Sequence, residues 1–216
     1  MTTTRILGLD PSGEGPDPLG EVAAALLEDA VAAYPTETFY ALGAAAFSKR
    51  AVEKIYRLKK RESRKPLPVV ASDLDMVKKI SASLPPSFRP LAEEFWPGPL
   101  TLVLPAAAGL PEFLLGPGRT IAVRIPPYSW LRGLVREMCQ PLTATSANLS
   151  GEKELADPAE VIALFRGRIE IVVDGGPSPG GAPSTIVDLT SPEPRILRMG
   201  AIPEVRIRAV LRSWGG

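Results

Sequence analysis

Apolar residues recur every three to four positions in several segments of the 216-residue chain, and this spacing predicts amphipathic helices. Helices are predicted from about residue 22, from Ser48, after Ser72, at 88–95, at 130–138, from Asp157 and from Pro203. Two starts carry specific signals. Ser72 with Asp75 three residues later predicts a capping box, and Asp157-Pro158-Ala159-Glu160 combines a cap, proline at the first position and an early acid.

Short apolar runs lie between these helices and predict strands. They end at Tyr34 or cover 67–71, 100–104, 120–125, 142–145, 169–173, 185–189 and 195–198. Because strands alternate with helices and no repeat interrupts the order, we expect an α/β fold. The prediction is a single domain over residues 1–216, built on one open, twisted mixed β-sheet with flanking helices.

Composition excludes several kinds of chemistry. The net charge is +1, and the chain has no histidine and a single cysteine, Cys139. A disulfide within the chain, a zinc site based on histidine and a Ser-His-Asp triad are therefore excluded. No apolar run is long enough to span a bilayer, and residues 1–10 do not resemble a signal peptide, so we expect a cytoplasmic protein without a membrane segment. Cys139 is expected to be a small buried hydrophobe.

Hydroxyl residues gather in the segment PTETFYALG, residues 35–43. If this segment is extended, Thr36, Thr38 and Tyr40 alternate and point to one face. The alternative is a β-turn with solvated threonines. A second group of small polar residues covers 143–148 and ends in Ser146-Ala147-Asn148. Such residues after a strand let a ligand approach the backbone closely, whereas a plain polar turn is the alternative.

Basic residues follow the helix that begins at Ser48. Lys59 and Arg61 fit a phosphate clamp, with lysine as a point charge and arginine as a bidentate donor, but basic residues at a helix C-terminus also complement the helix dipole. Arg64 and Lys65 extend this basic stretch. Arg124 and Arg198 stand at or near predicted strand ends, where each could bind a ligand or a carboxylate. Two glycine-rich stretches remain: 8–20 lacks the lysine of a Walker loop, and 174–183 is expected to be a mobile loop or lid.

The ordered series PTETFYALG, LKKRESRKPLPV, WPGPLTLVL, IAVRIP, TATSANLSGE, PSTIVDLT and ILRMGAI resembles the YrdC/Sua5 family over roughly residues 20–203. The resemblance implies a YrdC-like fold with a concave, positively lined face. It implies condensation of L-threonine, bicarbonate and ATP, with Mg2+, to threonylcarbamoyl-adenylate and pyrophosphate. That product feeds downstream tRNA threonylcarbamoyltransferase proteins, which modify adenosine 37. Longer relatives carry a further C-terminal domain, and the resemblance is to the short, single-domain form.

The resemblance also implies roles for individual residues, and it implies no protein nucleophile, no histidine base and no resident metal site. The residues matching ATP-binding positions are Lys59, Arg61, Arg124, Ser146, Asn148 and Arg198. The residues matching threonine-binding positions are Thr36, Tyr40, Tyr128 and Ser184. Two positions depart from the family pattern: Ala41 replaces a glycine, and Tyr128 stands where relatives have a histidine. A phenol can still donate to a carboxylate, although it is larger and usually neutral.

Two other functions stay open at this point. One is a YrdC-like paralogue with a different small substrate, which Ala41 and Tyr128 favour. The other is a non-catalytic RNA-binding or ribosome-assembly factor, in which the basic face would contact tRNA or double-stranded RNA. In that case binding should fall steeply with salt.

Overall fold

The computed structural model describes residues 2–10, 15, 17–60 and 66–214. In that part of the chain, the α-helices are α1 (Leu19–Leu27), α2 (Lys49–Lys59), α3 (Leu74–Ile80), α4 (Phe88–Phe95), α5 (Ser129–Glu137), α6 (Pro158–Phe165) and α7 (Glu204–Trp214). The strands are β1 (Arg5–Gly8), β2 (Ala32–Tyr34), β3 (Ala41–Gly43), β4 (Val69–Val70), β5 (Leu100–Pro105), β6 (Thr120–Arg124), β7 (Leu142–Thr143), β8 (Thr145–Ser146), β9 (Ile171–Asp174), β10 (Thr185–Asp188) and β11 (Arg195–Arg198). A 3-10 turn covers Glu112–Leu114.

The strands form two open sheets, each with parallel and antiparallel pairs. The five-stranded sheet has the order β1-β9-β2-β3-β8, and the six-stranded sheet has the order β11-β10-β5-β6-β4-β7. The predicted mixed α/β class is therefore confirmed, but the strands divide between two sheets where one was expected.

The division occurs within residues 142–146, where a single strand was predicted over 142–145. β7 pairs antiparallel with β4 of the six-stranded sheet, whereas β8 pairs antiparallel with β3 of the five-stranded sheet. Ala144 lies between them, so the chain changes partners across one residue. An isolated bridge between Ala45 and Leu142 also joins the two sheets. The polar residues predicted to end one strand therefore lie at the junction of both sheets.

Buried apolar side chains form two clusters, and alternation along the strands decides which cluster each residue joins. In β9, Val172 belongs to the larger cluster, while Ile171 and Val173 face a second cluster that packs α1 and α5. β9 is thus covered on both faces. The six-stranded sheet is different, because Leu102 and Val123 point into the larger cluster while their neighbours point away from it. One face of that sheet is left to form a site.

Helix ends test the capping predictions directly. The Ser48 side chain accepts a hydrogen bond from the backbone N–H of Ala51. The Asp157 side chain accepts one from the backbone N–H of Ala159, and Pro158 is the first residue of that helix. Both predicted helix starts are therefore confirmed. At α3 the predicted cap is wrong by one residue. Asp73, not Ser72, accepts from the N–H of Met76, and the Ser72 hydroxyl instead donates to Asp73.

Two further expectations need correction. β1 was not predicted, because its four residues carry only a weak apolar pattern, and three of them are exposed; it forms by parallel pairing with β9. Cys139 is exposed, not buried. It adopts a positive φ of 53° in the turn that follows Met138, the C-cap of α5.

Candidate active site

A cavity of about 330 Å³ lies on the face of the six-stranded sheet that points away from the larger cluster. Its volume is at the lower end of the range of about 300–1,000 Å³ typical of small-molecule sites. Strands β3 and β8 of the other sheet close one side. The lining residues are Thr36, Thr38, Phe39, Tyr40, Ala41, Pro66, Pro68, Val69, Val70, Thr101, Val103, Ala122, Arg124, Ala144, Thr145, Ser146, Glu154, Pro183, Ser184, Ile186, Leu197 and Arg198.

This cavity collects six of the ten residues that the sequence predicted for a site: Thr36, Tyr40, Arg124, Ser146, Ser184 and Arg198. Lys59, Asn148 and Tyr128 do not line it, and Arg61 lies outside the described residues. Strand alternation explains which residues of the six-stranded sheet line the cavity. Thr101 and Arg124 face the cavity because the residues beside them in β5 and β6 face the core. A larger, shallower depression beside α7 contains none of the predicted residues.

The segment 36–40 lines the cavity as a bend, so the prediction of an extended segment is wrong. The Thr36 hydroxyl donates to the Phe39 carbonyl at 2.7 Å and accepts from the Thr38 backbone N–H at 3.2 Å. A threonine side chain that bonds its own following backbone stabilises a turn. The hydroxyls of Thr36 and Thr38 lie 3.2 Å apart as a result. They reach the cavity wall through the turn and not through strand alternation.

Arg124, at the end of β6, forms an ion pair with Glu37 of the same bend. Both side chains are largely buried, with 10% and 17% of their surface exposed. One Glu37 oxygen accepts from the guanidinium, and the other has no hydrogen-bond partner among the described residues. Arg124 therefore pairs with a carboxylate, as one of its two alternatives predicted, and it also lines the cavity.

Lys59 lies beneath the cavity wall and is 1% exposed, not at an exposed helix end as its position suggested. Its ammonium donates to the carbonyl of Ser146 at 2.5 Å, to the carbonyl of Asn148 at 2.7 Å and to Asn148 Oδ1 at 2.8 Å. Lys59 therefore fixes the backbone that carries Ser146.

Asn148 completes this arrangement from inside the protein. Its Oδ1 also accepts from the Ser146 hydroxyl at 2.7 Å, and its Nδ2 donates to the carbonyl of Glu152 at 2.6 Å. Ser146 alone of the three lines the cavity. Lys59, Ser146 and Asn148, which are far apart in sequence, thus meet through one hydrogen-bond network.

Ser184 and Arg198 lie on the opposite side, where β10 and β11 pair. Arg198 Nη2 donates to the Ser184 carbonyl at 2.8 Å and to its hydroxyl at 3.1 Å. The Ser184 hydroxyl also lies 2.9 Å from that of Thr101, a buried residue that the sequence analysis did not select. A polar residue within the apolar strand of β5 was the available signal for Thr101.

The glycine-rich stretch 174–183, expected to be a mobile loop or lid, contacts the bend through hydrogen bonds. The Tyr40 hydroxyl donates to the Gly176 carbonyl at 2.8 Å, and the Gly180 N–H donates to the Thr38 carbonyl at 2.7 Å. Burial raises the pKa of Tyr40, so its phenol is a neutral hydrogen-bond donor here. Tyr128 lies behind this segment, where its hydroxyl approaches Gly175, and burial raises its pKa too.

Glu154 is the one aspartate or glutamate among the described lining residues, and no motif in the sequence pointed to it. In the described part of the chain, no group of three or more aspartate, glutamate, cysteine or histidine residues could hold a metal ion by itself. Within the same residues, no helix is both long and apolar enough to cross a membrane.

Comparison with known proteins adds to this geometry. A family model named for Sua5, YciO and YrdC, with the description "Telomere recombination", matches residues 24–200. A threonylcarbamoyl-AMP synthase of Pyrococcus abyssi is 37% identical over 184 residues, which are 85% of this chain and 54% of that protein. One of Bacillus subtilis is 39% identical over 195 residues, covering 89% and 56%. The chain therefore spans about half the length of these relatives.

Solved structures of Sua5 and YciO are also similar to this chain. The P. abyssi Sua5 structure in complex with L-threonine has a TM-score of 0.89 at 34% identity, covering 96% of this chain and 61% of that one. The structure of Escherichia coli YciO has a TM-score of 0.81 at 26% identity and covers 94% and 98%.

Proposed function

Because this chain belongs to the Sua5–YciO–YrdC family, we propose that it is a threonylcarbamoyl-AMP synthase. It condenses L-threonine, bicarbonate and ATP to threonylcarbamoyl-adenylate and releases pyrophosphate. The product serves the threonylcarbamoylation of adenosine 37 in tRNA by downstream transferase proteins. The observation that carries the proposal is the cavity that brings Thr36, Arg124, Ser146 and Ser184 together from four separate parts of the chain.

The reaction needs positioning and charge neutralisation more than a protein nucleophile. The threonine amine combines with bicarbonate to form a carbamate and water, and the carbamate oxygen then attacks the α-phosphate of ATP and expels pyrophosphate. Holding three reactants in line removes much of the entropic barrier, and fixed donors stabilise the charge that develops on phosphate. Neither contribution requires histidine, which the chain lacks.

For the nucleotide, we assign direct contacts to Arg124, Ser146, Arg198 and Arg61. Guanidinium groups bind phosphate oxygens with two parallel hydrogen bonds. The Ser146 hydroxyl lines the same cavity and would donate to phosphate after exchanging its bond to Asn148 Oδ1. Lys59 and Asn148 belong to the same nucleotide site, but the contacts of their side chains support an indirect role. They hold the Ser146 segment in place and add a positive charge beneath it.

For the amino acid, we assign Thr36, Tyr40 and Ser184, with Tyr128 behind the glycine-rich segment. The hydroxyls of Thr36 and Ser184 suit the polar end of a threonine. The Tyr40 hydroxyl is engaged with the backbone of Gly175 and Gly176, so Tyr40 contributes by fixing the cavity wall.

Magnesium accompanies the nucleotide in this proposal. Mg2+ takes oxygen ligands and is commonly bound by one or two carboxylates together with substrate phosphates. The cavity fits that pattern, since Glu154 and several hydroxyls are its oxygen donors and no cluster of protein ligands is needed. When bound, the ion would neutralise phosphate charge.

The decisive experiment measures pyrophosphate release from ATP by the purified protein. We expect release only when L-threonine and bicarbonate are both present, and loss of release in Ser146→Ala. Glu53→Gln on the outer side of α2 serves as a control that should retain full activity. Release that ignores threonine but responds to another amino acid or amine would contradict the proposal and establish the paralogue.

The paralogue is included as an outcome of this experiment for two reasons. Ala41 adds its side chain to the cavity wall, and the match with YciO covers almost all of this chain and almost all of YciO. The RNA-binding alternative, including direct tRNA contact on the basic face, is weakened. Lys59 is buried and Lys54 forms an ion pair with Glu170, which leaves neither ammonium freely available to phosphate. Salt-sensitive RNA binding without any nucleotide binding would restore it.

A further inference from the structure

Glu154 carries a carboxylate into a cavity that is proposed to receive polyphosphate. It is half-buried, and the described part of the chain gives its side chain neither a hydrogen bond nor an ion pair. The other charged side chains of the described lining are arginines, Arg124 and Arg198. An unpaired carboxylate at such a place opposes an incoming anion unless a cation accompanies it.

The backbone around Glu154 is held at three points, so the fold defines where this residue joins the cavity lining. The Glu152 carbonyl accepts from Asn148 Nδ2 at 2.6 Å, and the Leu155 carbonyl accepts from the Tyr40 N–H at 2.8 Å. The Ala156 carbonyl accepts from the Ser178 N–H at 2.9 Å. These bonds tie residue 154 to the Ser146 network, to the bend and to the glycine-rich segment.

We propose that Glu154 binds the divalent cation that enters the cavity with the nucleotide. The inference rests on the proposed function and names a residue that acts in it. A hard cation such as Mg2+ prefers carboxylate oxygen and retains phosphate and water as its other ligands. A single carboxylate, fixed beside a phosphate site, is sufficient for that role. The competing occupant is the ammonium group of the amino acid.

The test measures ATP affinity by calorimetry without threonine, once with saturating Mg2+ and once with EDTA. The ratio of the two affinities reports the coupling between metal and nucleotide. In Glu154→Gln we expect this ratio to fall about tenfold or more, the scale on which groups that support a metal site act. Metal-free ATP should bind more tightly in this variant, because a charge that repels phosphate is gone. Glu160→Gln, an exposed acid of α6, is the matched control and should keep the wild-type ratio.

Denaturant unfolding of each variant separates a folding defect from a binding defect, and Glu154→Asp should restore part of the coupling. An unchanged ratio in Glu154→Gln overturns the proposal, and a loss confined to threonine affinity assigns the carboxylate to the substrate ammonium instead. If the wild-type protein binds no ATP under either condition, both the proposed function and the role of Glu154 are wrong. If threonine-dependent pyrophosphate release is intact while the ratio does not move, only the role of Glu154 is wrong.

Discussion

Replacing Lys59 with methionine removes a buried ammonium and keeps most of the volume of the side chain. Three acceptors then lose the ammonium as a donor: the carbonyls of Ser146 and Asn148, and the Asn148 side-chain oxygen, which keeps its bond from the Ser146 hydroxyl. Hydrogen bonds to a charged group contribute about 1.5–3 kcal/mol each, and this sets the upper limit of the loss. Relief of the cost of burying an ammonium, on the order of several kcal/mol, offsets a large part of it. We therefore expect the free energy of unfolding to fall by about 2–4 kcal/mol.

The same replacement should also weaken ATP binding, because the Ser146 segment loses its support. Denaturant unfolding measures the first effect, and calorimetry at a temperature where both proteins are folded measures the second. Lys49→Met is the matched control, since Lys49 lies on the same helix with 72% of its side chain exposed. Surface substitutions of this kind usually change stability by less than about 0.5 kcal/mol.

One result would refute this reasoning. If Lys59→Met unfolds like the wild type while its ATP affinity collapses, the ammonium contacts the nucleotide directly. The buried network would then not be the arrangement that the protein adopts in solution. A combined loss of stability and affinity supports the indirect role.

Four further outcomes are expected. Arg61→Ala should lower kcat/KM for ATP by about 100-fold or more, the cost of removing one donor to developing charge, as measured by pyrophosphate release. Tyr128→His should keep the KM for threonine within about threefold, because the ring lies outside the cavity lining; a collapse of threonine use would reveal a contact not seen here. Gly43→Ala should cost about 1–3 kcal/mol of unfolding free energy, since its Cβ would lie 2.6 Å from the Thr143 carbonyl, whereas Gly20→Ala meets no atom and should not destabilise. Asp73→Ala should cost about 1 kcal/mol near neutral pH. The N–H of Met76 and the Ser72 hydroxyl lower the pKa of Asp73 in the folded state, so this stabilisation exists above about pH 4 and the difference from wild type should shrink as the pH falls through the folded-state pKa.

Local patterns in the sequence determined most helices and their starts. The Ser48 and Asp157 caps depend on residues within three positions, and α4 covers the predicted residues because its apolar spacing is clear. Short apolar runs predicted strands at 100–104, 120–125 and 195–198, and the structure has strands at Leu100–Pro105, Thr120–Arg124 and Arg195–Arg198. The family patterns also selected residues that the fold does bring together, since six of the ten line one cavity.

Contacts distant in sequence decided the rest. Whether residues 142–146 form one strand or two depends on partners 70 to 100 positions away, and no local pattern carries that information. The same limit applies to Lys59, whose spacing at a helix end is equally consistent with solvent, ligand or core. Only the packing of α2 against the Ser146 segment placed its ammonium among three carbonyl and amide oxygens. The sequence by itself therefore determined which residues are chemically suited to the site, and the tertiary structure decided which of them touch the cavity and which support it, because burial and hydrogen bonding are set by the whole fold.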